Sequence, residues 1–133
     1  MTKSEFFTKL AQIPEVGEIS QGVYMSHLDN GDVCFCPVGL LIMREAEDKL
    51  EALNFVHELM QITYAQSVGR AADRLGVPVN FLEGAISKFD ELFDGRVIRT
   101  LPASEALDRF MDCAVQSGKD CWIENHEVSE TQK

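Results

Sequence analysis

Residues 29–53 read DNGDVCFCPVGLLIMREAEDKLEAL, and this stretch decides the fold because it passes from turn to strand to helix without a spare residue. Within it, Asn30-Gly31 is the pair that tolerates positive φ at both central positions of a two-residue hairpin turn. Val33, Cys34, Phe35 and Cys36 follow as the returning strand. Pro37 then opens a helix, since proline has no N–H to lose at the first helical position and its φ is already helical. From there Val38, Leu41, Ile42, Ala46, Leu50 and Leu53 recur at spacings of three and four, which predicts one buried helical stripe.

Outward from this stretch, Val23 to Leu28 supply the outgoing strand, so a hairpin is expected over about 23–36. Two strands alone are marginal, and this pair is expected to lie against helices. Upstream, Ser4 is placed to cap a first helix whose apolar face is Phe6, Phe7, Leu10 and Ile13, stopped by Pro14. Residues 15–21 read as a loop. Downstream, Asn54 is placed to cap a helix through Phe55, Val56, Leu59, Met60 and Ile62, and 67–75 is a short amphipathic helix ended by Gly76. Phe81, Leu82, Ala85, Ile86, Phe89, Leu92 and Phe93 repeat at helical spacing up to Asp94-Gly95, and 97–100 reads as extended. A final helix spans about 102–117, and Trp122 is expected to cover the core. The expected fold is mainly α: a compact bundle of five or six helices with one small N-terminal β-hairpin. It forms a single globular domain over 1–123, with a frayed polar tail over 124–133.

At 133 residues and 45% hydrophobic composition the chain is long enough for one core without a disulfide staple. Twelve Lys+Arg against 22 Asp+Glu leave a net charge of −10, which repels polyanions at long range. A general nucleic-acid or anionic-membrane binder is thereby disfavoured, and a partner with a basic surface is favoured. No apolar run approaches the roughly 20 residues that span a bilayer. Glu5 interrupts any secretory leader, so a cytoplasmic setting with reduced thiols is expected.

Three candidate sites emerge. Acidic residues are spread along the expected solvent faces, among them Glu45, Asp48, Asp90, Glu91, Asp94, Asp108 and Asp112. If they converge, they form a negative face for a basic protein; the bland alternative is solvated helix surface. Residues 68–86 resemble the bihelical unit of helix-turn-helix regulators, with small Ala72 at the crossing, Leu75 inward, Gly76-Val77 at the turn, and Leu82 and Ile86 on the second helix. That resemblance implies base or phosphate contacts from Arg70, Arg74, Asn80 and Lys88, yet the reading helix would offer only one positive charge. Third, Cys36 at a helix start is where backbone N–H groups stabilise a thiolate, and His27 on the preceding strand is a candidate base. Against this, Cys34 and Cys36 alternate with apolar residues as core cysteines do.

A zinc site from Cys34, Cys36, Cys113, Cys121, His27 and His126 lacks paired ligand spacing, and residues 29–32 are too short for a calcium loop. No metal or cofactor is expected. There is no phosphate-binding Gly-rich loop, no Gly-x-Ser-x-Gly elbow and no His-Glu-x-x-His, which lowers the expectation of an enzyme.

Gly22-Val23-Tyr24, then Cys36-Pro37-Val38-Gly39-Leu40-Leu41, then residues 86–94 resemble a family of short uncharacterised bacterial and phage proteins with a strand-Cys-x-x-Gly-Ala-Leu-helix signature. Leu40 stands in place of the alanine, and Phe89-Asp90 where an asparagine belongs. The resemblance implies a fold and a bacterial or phage setting, without an activity. The function expected from the sequence is a small acidic protein-binding module acting on a basic host protein as inhibitor or regulator. A DNA-binding regulator and a thiol enzyme at Cys36 are the alternatives, with homo-oligomerisation left open.

Overall fold

In the computed structural model, which describes residues 1–91 and 99–122, six helices and four short strands follow one another. Their order is α1 (Lys3–Ala11), β1 (Glu18–Gln21), β2 (Met25–His27), β3 (Val33–Phe35), α2 (Pro37–Glu45), α3 (Lys49–Leu59), α4 (Tyr64–Leu75), α5 (Val79–Asp90), β4 (Arg99–Pro102) and α6 (Ala103–Cys121). The mainly helical expectation holds, with more strand than one hairpin. Residues 123–133 lie outside the described residues, as do Leu92, Phe93, Asp94 and Gly95.

The hairpin pairs Met25 with Phe35, Ser26 with Cys34 and His27 with Val33, inside the expected 23–36. Its turn differs from the expected one. Only Gly31 has positive φ, at 91°, and Leu28 N–H donates to the Asp32 carbonyl at 2.8 Å, which makes a three-residue loop. Asn30 stays in ordinary φ space because its side-chain oxygen accepts the Asp32 N–H at 2.9 Å.

Residues 18–21, expected as loop, form β1 and pair antiparallel with β4 some 80 positions on, Glu18 opposite Pro102 and Gln21 opposite Arg99. The polar Ser20 and Gln21 are buried there, so the strand carries no period-2 hydrophobic signal. A shared polar knot ties the two ribbons together: Ser20 Oγ lies 2.8 Å from Ser26 Oγ and 3.1 Å from Cys34 Sγ.

Helix ends also move. Thr2 caps α1, exchanging bonds with Glu5 in a capping box, so Ser4 is already inside the helix. The stripe expected from Val38 to Leu53 breaks at Ala46, whose φ and ψ are extended, and Asp48 restarts the chain as α3 by accepting the N–H groups of Leu50 and Glu51. Leu50 is consequently 68% exposed and Asn54 sits mid-helix. Thr63 and Gln66 form a second capping box that starts α4 at Tyr64, ahead of the expected 67.

At the centre, α5 buries Phe81, Leu82, Ala85, Ile86 and Phe89, each contributing about 1.5–3 kcal/mol where a large apolar side chain leaves water. Phe81 meets Phe6 edge-on at 5.0 Å between ring centroids and Trp122 at 4.7 Å, so Trp122 covers the core as expected. The Lys3 ammonium donates to the carbonyls of Gly118 and Trp122 at 3.2 and 3.0 Å, capping the far end of α6. α6 thereby runs four residues past its expected end at 117.

Candidate functional site: an apolar cleft with one carboxylate

The end of β1 grips the end of α5. Gln21 Nε2 donates to the Phe89 carbonyl at 2.6 Å, and Gly22 N–H donates to the Asp90 carboxylate at 3.3 Å. Gly22 makes the required turn at φ 98°.

On the other side, the Cys-x-x-Gly run docks α2 on the hairpin backbone. Cys36 N–H donates to the Tyr24 carbonyl at 2.9 Å, and Cys36 Sγ, as helix cap, accepts the Gly39 N–H at 3.4 Å. A Cβ on Gly39 would lie 2.8 Å from the Tyr24 carbonyl oxygen, so this approach requires glycine.

Between these two junctions opens a cleft of about 290 Å³. Buried Val38, Leu59, Phe89 and Phe110 form its floor, Tyr24 and Cys36 stand in its wall, and Met60 and Tyr64 are its exposed rim at 44% and 49% exposure. Asp90 is the one charged side chain among its described lining residues.

Burial sets the protonation of this site. Desolvation pushes the Asp90 carboxyl up to about 6, opposed by the Gly22 N–H. It pushes the Cys36 thiol up to about 12, outweighing the helix-start N–H groups of Gly39 and Val38. The Tyr64 phenol is likewise pushed up to about 12, and the Tyr24 phenol is raised by burial against its bond to Ser67 Oγ at 3.2 Å. At neutral pH the described lining residues therefore hold one carboxylate among a neutral thiol and two neutral phenols.

The sequence-derived candidates distribute unevenly over this geometry. His27 stands opposite Val33, three residues and so roughly 10 Å along the hairpin from Cys36, and the two do not meet. Glu45 pairs with Lys9, and Asp48 is engaged as the α3 cap. Glu45 ends α2 and Asp48 caps the start of α3, which is about 16 Å long, whereas Leu59 at the other end of α3 lines the cleft with Asp90. Glu91, Asp108 and Asp112 are exposed, and Asp94 lies outside the described residues.

Arg70 and Arg74 bracket the Phe55 ring, with guanidinium carbons 5.3 and 4.6 Å from its centroid. Arg70 pairs with Glu58 at 3.2 Å and Arg74 Nη1 donates to Glu51 at 2.7 Å, so both arginines tie α4 to α3. Asn80 and Lys88 are exposed on α5, but the Gly84 side of that helix is closed by α6. Among the described residues no three His, Cys, Asp or Glu side chains gather as metal ligands, and no helix is long and apolar enough to cross a membrane.

Compared with protein-family models, with curated proteins and with solved structures, the chain has no match.

Tyr24, Met60, Tyr64 and Phe110 are not legible in the sequence as site residues, since they come from parts of the chain that no one window contains. Asp90 carried a readable signal: it stands four residues after Ile86, in phase with the buried stripe.

Proposed function

We propose that this chain is a protein-recognition module that takes a positively charged partner at the cleft beside Asp90. The observation that carries the reading is an apolar cleft with exposed Met60 and Tyr64 on its rim and, among the described residues, a single carboxylate in its wall. Exposed methionine and tyrosine next to a concave apolar surface are what adaptable protein contacts use. A net charge of −10 supports the choice of partner, because it steers positively charged surfaces inward and repels polyanions. The engagement of Arg70 and Arg74 by Glu58 and Glu51 favours a protein partner over DNA. The resemblance around Cys36 to short bacterial and phage proteins is consistent with a regulator or inhibitor of a basic host protein.

Selection of random peptides on the immobilised chain tests this. The enriched peptides are expected to be basic and to bind the wild type at least about tenfold more tightly than Tyr64→Glu. Enrichment of acidic or neutral peptides, or equal binding by the variant, would sink the reading.

A further inference from the structure

We infer that the cleft receives one arginine side chain of the partner, its guanidinium on the Asp90 carboxylate and its stem along the apolar floor; this rests on the protein-recognition reading above. The size fits a single long side chain. About 290 Å³ lies at the lower edge of the roughly 300–1,000 Å³ that holds a drug-sized ligand, too small for a folded element.

Charge complementarity selects the head group. Asp90 has no ion pair among the described residues; Oδ1 accepts the Gly22 N–H at 3.3 Å, and Oδ2 is the oxygen offered to a cation. The titratable groups that act on it or are acted on by it are Tyr24 just before β2, Cys36 at the start of α2, Tyr64 on α4 and Cys113 on α6, with Lys88 and Asp112 acting on Cys113. An apolar occupant would deepen the burial of an unpaired carboxylate, and an anionic occupant would repel it. A cation relieves both.

The aromatic lining selects among cations. Tyr24, Tyr64, Phe89 and Phe110 offer ring faces or edges to the same cleft. A guanidinium is planar, weakly hydrated and stacks on rings, whereas an ammonium is compact and strongly hydrated.

The test uses the full ¹⁵N-labelled chain at pH 7.5, titrated with n-butylguanidinium, n-butylamine and n-butanol and followed by amide shifts at Gly22 and Tyr64. n-Butylguanidinium is expected to bind at least about tenfold more tightly than n-butanol, to lose that advantage in Asp90→Asn, and to weaken about tenfold at pH 5, where Asp90 is protonated. Asp90→Asn keeps the side-chain volume and an acceptor for Gly22, so its fold is checked by the unperturbed amide spectrum. Equal binding of n-butanol, undiminished binding by Asp90→Asn, tighter binding of n-butylamine, or no shift at Gly22 and Tyr64 would each overturn the inference. If the selection yields basic, cleft-dependent peptides while n-butylguanidinium fails, the arginine anchor falls and the protein-recognition reading stands. If the selection yields none, the reading itself falls.

Discussion

Gly39 is the residue on which the approach of α2 to the hairpin turns, because any Cβ there meets the Tyr24 carbonyl oxygen at 2.8 Å. Backbone is on both sides of that contact, so neither partner yields cheaply. Gly39→Ala is expected to destabilise the protein by about 1–3 kcal/mol, seen as a lowered urea midpoint with unchanged slope. An unaltered midpoint would contradict the geometry. The same turn decides the fate of the thiols. Cys36 has its thiol pushed up to about 12 and Cys34 is buried in the serine knot, whereas Cys121 is exposed. With iodoacetamide at pH 8, peptide mapping is expected to find Cys121 alkylated first, and Cys34 and Cys36 only when the protein unfolds. Rapid labelling of Cys36 in the native protein would reopen the thiol-enzyme alternative.

Helix against helix, the most extensive packing among the described residues is α5 on α6. A Cβ on Gly84 would stand 2.5 Å from Ser117 Oγ, and that hydroxyl is held in place by donating to the Phe81 carbonyl at 2.7 Å. Gly84→Ala is expected to cost about 1–3 kcal/mol. Ser117→Ala leaves its Cβ at 3.4 Å, so the double variant is expected to recover part of the loss, with a coupling of about 1 kcal/mol. Strict additivity in denaturant midpoints would show that the two side chains do not meet.

Elements of this kind were legible in the sequence only where the signal was local. Cys36-Pro37 and Gly76 mark their helix boundaries by backbone chemistry alone, and both stand where expected. The break at 46–48 was hidden because Leu50 and Leu53 continue the apolar phase of α2, although Leu50 ends up in solvent. β1 was hidden for the opposite reason: Ser20 and Gln21 look like surface and are buried, and their strand partner is distant in the chain. The cleft draws on five separate elements, so no window of sequence contains it, and only Asp90's phase with Ile86 gave it away.

For the molecule as a whole, the burial of Asp90 in the cleft makes stability depend on pH. Asp90 ionises near 6 when folded and near its ordinary 3.8 when unfolded, so the folded state holds the proton more firmly. The contribution of this group to stability is therefore full below about pH 4 and is lost as pH rises through about 6. Asp90→Asn is expected to be more stable than the wild type by about 1–2 kcal/mol at pH 8, a difference that vanishes towards pH 4. Urea midpoints of both proteins across that range check it, and a difference independent of pH would exclude Asp90 as the cause.

The pairing of β1 with β4 has a consequence for how the protein is made. Gln21 and Gly22 hold Phe89 and Asp90 from the end of a strand whose neighbour, Arg99–Pro102, leaves the ribosome some 80 residues later. A nascent polypeptide truncated before that point lacks half the ribbon that flanks the cleft. The cleft wall built by Gln21 and Gly22 is thus completed only by a distant part of the chain, and a fragment that stops short of β4 is expected to lack it.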